Sequence, residues 1–242
     1  MNSPRKVEGK VWRKSTEATE TIHQLLKFVR TKGIDWVPEP VSYNADYEVI
    51  SYIEGKVLHD MPMWAWETKI LRQTAARLRD WHDATLGFNF SQARWNFDTG
   101  TEHQVICHND FAPYNCVYIE KTMVGLIDFD LCAPGSRLWD MAYAAYRFVP
   151  IMPNIAIANE TEISPFTNKE TNERIERFLD EYARGQEEMR YDRNTLLEIT
   201  SKRLQNLAEW TKKHAQISKN TALEMHATMY KNHADWILHF LK

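Results

Sequence analysis

The stretch that most restricts this 242-residue chain is His108-Asn109-Asp110-Phe111-Ala112-Pro113-Tyr114-Asn115, followed by Ile127-Asp128-Phe129-Asp130. Val105-Ile106-Cys107 leads into it, Cys116-Val117-Tyr118-Ile119 leads out, and Val124-Gly125-Leu126-Ile127 ends at the first aspartate. Apolar runs this short predict strands rather than helices, with the polar residues between them on loops that line a cleft. The middle of the chain is thereby committed to a strand, a polar loop, a hairpin and a second polar loop. Everything else must pack around that unit.

The residues before it predict a small antiparallel lobe. Glu8-Gly9 reads as a hairpin turn, with Val11-Trp12-Arg13-Lys14 as the returning strand. A helix follows, with Ser15 or Thr16 as its cap, Glu17 and Glu20 near its positive end, and Ile22, Leu25, Leu26 and Val29 at helical spacing. Gly33 is its expected stop. One strand is expected to start near Val41 and another to run from Tyr47 to Ile53, with Ser51 to Gly55 connecting to the rest.

Trp66 to Thr85 predicts a long amphipathic helix built on Ile70, Leu71, Leu78 and Trp81, and residues 86–102 a surface loop. Beyond Trp139 the pattern is helical, with helices near 168–189, 194–214 and 219–241 after a crossing that holds Pro150, Pro153 and Pro165. The expected division is a lobe over 1–55 and a larger, mostly helical lobe over 56–242.

Composition excludes several classes. A net charge of -3 and a pI near 6.3 give no reason to expect a nucleic-acid partner, which usually needs a basic stripe. Cys107, Cys116 and Cys132 form no C-x-x-C pair, so neither a disulfide framework nor a zinc site is indicated. No apolar run approaches the roughly 20 residues that span a bilayer. Met1 to Lys6 is not followed by the apolar core of a signal peptide. A cytoplasmic location, with no membrane partner, is the expectation.

The central motifs carry the chemistry. Phosphoryl transfer needs a carboxylate to orient a hydroxyl nucleophile, and hard oxygen ligands for the magnesium that neutralises the polyphosphate. Asp110 and Asn115 lie five positions apart on one loop, and Asp128 stands at the end of a neighbouring strand. The protein-kinase pattern H-R-D-x-x-x-x-N plus D-F-G uses the same arrangement. Either half alone is a weak signal, since an aspartate after an apolar strand is commonly a turn former. In this order, with strands around them, the two reinforce each other. A metal-dependent hydrolase using His108, Asp110 and Asp128 is the competing reading, but it leaves the Asn115 spacing and the helical tail unexplained.

These residues resemble the aminoglycoside phosphotransferase and choline kinase superfamily, protein-kinase-like enzymes that phosphorylate small molecules. The resemblance is densest over Val105 to Val149 and extends weakly through Leu78 to Thr85, Ser51 to Gly55 and Ile22 to Val29. It implies an α+β, protein-kinase-like two-lobed fold, with a truncated antiparallel N-terminal lobe and a large helical C-terminal lobe. It also implies a transfer of the terminal phosphoryl group of ATP or GTP to a hydroxyl of a small-molecule acceptor, an aminoglycoside-like compound, an amino alcohol or a sugar. Asp110 would be the base, Asn115 and Asp128 the Mg2+ ligands, and His108 a brace for the loop.

On the nucleotide side, Arg13 sits where the family places its phosphate-binding cation, with Lys14 on the opposite side of the strand. His23 lies near the expected place of that cation's acidic partner, with Glu20 on the same helix face. The backbone of Ser51, Tyr52 and Ile53 would grip the base, with Ile50 or Ile53, and Ile127, as candidates to pack on it. Asp130 is open between a second metal ligand and a scaffold role, and Asp140 is expected to cap a helix or brace a loop. The family's glycine-rich phosphate loop is reduced to Glu8-Gly9, which keeps a pseudokinase, a nucleotide- or partner-binding module, as the alternative. For the acceptor, an acidic pocket could draw on Glu160, Glu162, Glu170, Glu173, Glu176, Asp180 and Glu181, and an aromatic cage on Trp139, Tyr143, Tyr146 and Trp210.

Overall fold

Glu8 and Gly9 both take positive φ (48° and 71°), the geometry that lets a two-residue turn match the twist of its flanking strands. β1 (Arg5–Val7) and β2 (Lys10–Lys14) pair across it. β2 then pairs with β4 (Tyr47–Ser51), which also carries β3 (Pro40–Tyr43), so the antiparallel sheet runs β1-β2-β4-β3. In this register Arg13 lies directly opposite Glu48. The computed structural model describes residues 4–154 and 162–240. The chain divides into two compact units, Met1–Asp140 and Met141–Lys242.

Helix α1 (Thr19–Thr31) buries Ile22, Leu25, Leu26 and Val29, the predicted stripe. Its start differs from expectation. Ala18 is the N-cap and no side chain caps the helix, because Thr16 and Thr19 are spent on each other's turn. The Thr16 N–H donates to Thr19 Oγ1 at 2.8 Å, and the Ala18 N–H to Thr16 Oγ1 at 3.2 Å. Gly33 (φ 88°) closes the helix, as its sequence position suggested.

Helix α2 (Thr68–Thr85) buries Ile70, Leu71, Leu78 and Trp81. The Trp81 indole donates to Ile106 O at 2.8 Å, seating β5 (Val105–Cys107) on the helix. β6 (Cys116–Ile119) and β7 (Thr122–Leu126) form the hairpin between the two polar loops. β5 also pairs with β8 (Ala133–Gly135), a strand no sequence pattern announced because Ala-Pro-Gly has neither alternation nor branched residues. The three cysteines are buried and none is in a disulfide.

The first unit contains both the sheet and the hairpin, and the expected 55/56 boundary falls inside it. The segment there is wedged. A Cβ on Gly55 (φ 140°) would lie 2.6 Å from Val117 Cγ1, and one on Gly125 would lie 2.7 Å from Ile53 Cγ2. Lys56 and Tyr118 exchange both backbone hydrogen bonds, at 2.9 and 2.8 Å. One end of the connecting segment is therefore a strand of the sheet and the other a rung on the hairpin.

Helix α3 (Arg137–Phe148) leads into the second unit, which holds α4 (Asn168–Ala183), α5 (Arg193–Ser218) and α6 (Thr221–Phe240). α4 opens with a Thr167–Glu170 capping box and stops short of the predicted 189, because Arg184 and Gly185 both turn left-handed. α5 is capped by Asp192. Leu204, Ala208 and Ala215 of α5 are buried, as are Ala227, Ala234 and Ile237 of α6. Ser201 Oγ donates to Ala234 O at 2.9 Å between these two helices.

Candidate active site

The loop from His108 to Asn115 is pinned from behind by Asp140. That carboxylate is fully buried and accepts from the His108 N–H (2.7 Å), the Asn109 N–H (2.8 Å) and sits 3.0 Å from His82 Nε2. Burial pushes the His82 pKa down, against the opposing pull of Asp140. Asp140 thus braces a loop, one of the two roles its sequence position allowed. His108 Nε2 lies 3.0 Å from Ile127 O, and Nδ1 faces the Asp110 N–H at 3.3 Å. Together these two bonds select the tautomer with its proton on Nε2.

The second loop is tied to the first. Asn109 takes φ 65°, a conformation asparagine tolerates, and its amide donates to Leu131 O at 2.8 Å. The Ile127 N–H donates to Asn115 O at 2.9 Å. Asp128 follows, itself at φ 65°. A non-glycine residue held there costs energy unless its surroundings enforce it, and such positions concentrate at functional sites.

Asp110 accepts at both carboxylate oxygens. Tyr114 donates its hydroxyl to Oδ1 at 2.7 Å, and Asn115 Nδ2 donates to Oδ2 at 2.8 Å and to Asp110 O at 2.9 Å. Because the Asn115 nitrogen is committed to Asp110, its Oδ1 is the atom left for another partner. Asn115 lines a cavity of about 640 Å³ together with Arg13, Asp128 and Asp130. Val11, Ile50, Ile53, Val117 and Ile127 form its apolar walls. Asp110, the expected base, is not among the residues that line this cavity; it is joined to the lining only by the hydrogen bond it accepts from Asn115.

At the polar end, Arg13 meets three carboxylates. Nε lies 2.8 Å from Glu48 Oε1, Nη2 lies 2.8 Å from Asp130, and Nη1 lies 3.7 Å from Asp128. The Nε–H is not aligned on Glu48, so that contact is an ion pair rather than a directed hydrogen bond. Burial pulls the Arg13 pKa down, but the charges of Asp130, Glu48 and Asp128 outweigh it and the net shift is upward. Burial raises the Asp130 pKa, with Asp128 and Glu48 adding to the rise and Arg13 opposing it. Glu48 Oε2 is 2.9 Å from His23 Nε2, and the two side chains are 2% and 1% exposed.

The structure thus brings Arg13, Asn115 and Asp128 to one cavity, with Ser51, Tyr52 and Ile53 along its edge. The Ser51 N–H is already given to Glu39 O (2.8 Å) and the Tyr52 N–H to Gly9 O (2.9 Å). Among the described residues the Ile53 N–H has no backbone partner. Glu48 and Tyr114 escaped the sequence reading. A signal for Glu48 existed, a lone acid inside the strand Tyr47–Ser51, but its partner follows only from the β2–β4 register. In the second unit, Glu162 pairs with Arg147, Glu176 and Asp180 with Arg190, and Glu170 closes its cap; Glu160 lies outside the described residues. Trp139, Tyr143 and Tyr146 are buried, and Trp210 is half exposed.

A small antiparallel sheet, two polar loops joined by a hairpin and a helical remainder define an α+β, protein-kinase-like fold. Solved structures share it. An ethanolamine kinase from Plasmodium vivax aligns over 93% of this chain and 76% of its own, with a TM-score of 0.66 at 12% identity. A choline/ethanolamine kinase family protein from Mesorhizobium loti aligns over 97% and 84%, with a TM-score of 0.65 at 12% identity. An aminoglycoside phosphotransferase from Alicyclobacillus acidocaldarius aligns over 99% and 90%, with a TM-score of 0.58 at 14% identity.

Residues 61–191, more than half of the sequence, match the phosphotransferase enzyme family (APH), and the chain belongs to that family. It is also 30% identical over 146 residues to the trifolitoxin immunity protein of Rhizobium leguminosarum bv. trifolii. That alignment covers 57% of this chain and 55% of the relative, so the chain spans about half the length of the curated protein it matches. Among the described residues no helix is long and apolar enough to cross a membrane.

Proposed function

We propose that the protein is a small-molecule kinase that transfers the terminal phosphoryl group of ATP or GTP to an acceptor hydroxyl. The observation that carries this reading is the side chain of Asn115, which binds Asp110 with its nitrogen while lining the cavity of Arg13, Asp128 and Asp130. A proton acceptor and a charged pocket are thereby joined through one amide.

The donor set suits magnesium. Among the described residues no three His, Cys, Asp or Glu side chains group as a metal cage. Magnesium takes few protein ligands and completes its shell with phosphate and water. Asn115 Oδ1 and the Asp128 carboxylate would hold it, and it would neutralise charge on the polyphosphate. The rest falls to the chain itself. Arg13 binds phosphate oxygens, Ile50, Ile53 and Ile127 take the base, and the Ile53 N–H supplies a donor at its edge. Asp110, fixed in plane by Tyr114 and Asn115, receives the proton of the acceptor hydroxyl.

The kinships to ethanolamine kinase and aminoglycoside phosphotransferase favour an acceptor that carries both an amine and a hydroxyl. The likeness to an immunity protein suits a role in disarming a toxic compound. Asp110→Asn tests the assignment. With magnesium and ATP or GTP, wild-type protein should phosphorylate a member of a panel of amino alcohols, aminoglycosides and sugars, read by mass spectrometry. The variant should lose about 10²–10⁴-fold in kcat, the usual cost of removing a general base. Undiminished turnover in the variant would remove Asp110 from the chemistry. Nucleotide-dependent stabilisation without turnover on any acceptor would favour the pseudokinase reading.

A further inference from the structure

The acid that holds Arg13 comes from an unexpected element. The helix position nearest the pair carries His23, and the carboxylate is supplied by Glu48, the cross-strand neighbour of Arg13. One Glu48 oxygen faces Arg13 Nε and the other faces His23 Nε2, and the carboxylate is almost wholly buried, so it has no room to swing. A buried carboxylate without a cation is strongly disfavoured, which keeps the guanidinium where it is.

The placement decides a competition. Arg13 also reaches Asp130 at 2.8 Å but stays 3.7 Å from Asp128. Three carboxylates surround one guanidinium, so among these four side chains the acids outnumber the cation by two. That surplus suits one divalent cation. Without Glu48, Arg13 would be free to close on Asp128 as well as Asp130 and fill its need for a positive charge from within.

We propose that Glu48 is a positioning residue that holds Arg13 away from Asp128 and so keeps the Asp128 carboxylate open to a divalent cation. The inference rests on the phosphotransfer reading given above. It concerns the protein's own side chains, and it is testable without turnover.

The experiment titrates Mn2+, a paramagnetic stand-in for magnesium, into wild-type, Glu48→Gln, Arg13→Gln and doubly substituted protein, with and without ATP. Glu48→Gln keeps the side-chain shape, and its melting temperature reports folding. The concentration of Mn2+ for half-saturation should rise about tenfold in Glu48→Gln, corresponding to about 1.4 kcal/mol. It should return to the Arg13→Gln value in the double variant, because Glu48 acts through Arg13. A folded Glu48→Gln protein that binds Mn2+ as wild type does would overturn the proposal, as would additive effects of the two substitutions.

Side-chain 15N relaxation at Arg13 Nε in the ligand-free protein separates the two layers of inference. A guanidinium that is rigid in wild type and mobile in Glu48→Gln supports the proposal, and equal mobility refutes it. If wild-type protein shows this difference yet takes up neither Mn2+ nor nucleotide, the phosphotransfer reading fails and the proposed metal role fails with it.

Discussion

The molecule holds two buried acid–histidine pairs, and they do different work. Asp140 faces His82 at 3.0 Å and Glu48 faces His23 at 2.9 Å, and all four side chains are almost completely shielded from water. Asp140 also accepts from the backbone N–H groups of His108 and Asn109, which have nowhere to go. The remaining partner of Glu48 is Arg13, a long side chain that lines the cavity. One carboxylate fixes the shape of a loop, and the other fixes the position of a charge. Burial alone does not distinguish them; the mobility of the third partner does.

The largest effect expected from breaking this contrast is at Asp140. Asp140→Ala removes the carboxylate that accepts two buried backbone N–H groups and faces His82, and should cost roughly 3–5 kcal/mol of stability. Thermal or urea unfolding should show it, whereas Glu48→Gln should lose clearly less stability and register mainly in Mn2+ binding. Equal losses at both positions would erase the distinction.

Acid sharpens it next. The folded His82 pKa lies below its ordinary value through burial, so the unfolded chain takes up the proton first. Stability is complete above the unfolded value of about 6.5 and declines as pH falls below it. Melting temperatures measured between pH 8 and pH 5 should drop below about 6.5 in wild type, and less steeply in His82→Gln. An unchanged slope would mean that His82 does not titrate on unfolding. The smallest effect is a reference away from both pairs. Thr167→Ala removes one half of the α4 capping box and should cost about 1 kcal/mol, with catalysis and metal binding unchanged.

What the sequence made legible divides along similar lines. Asp110 and Asn115 share one loop and Asp128 ends the strand of the adjoining hairpin, so short-range spacing was enough to bring Asn115 and Asp128 to a common cavity. The stripes of α1 and α2 were equally local. Glu48 was not legible, because its meaning depends on which residue of β2 it faces, and register is a property of the folded sheet. The brace at Asp140 was visible as a position but not in its partners, since His82 lies 58 residues away. β8 stayed hidden because three residues containing a proline carry no strand signal until β5 stands beside them.

The wedge at Gly55 and Gly125 has a mechanical consequence. With no space for even one extra methyl at either glycine, the strip between them cannot act as a loose tether. A flat ring resting on Ile53 would push simultaneously on a strand end and on the hairpin that carries Asn115. Seating of the ring and alignment of the amide would then be a single displacement, with no separate signal passing from one to the other.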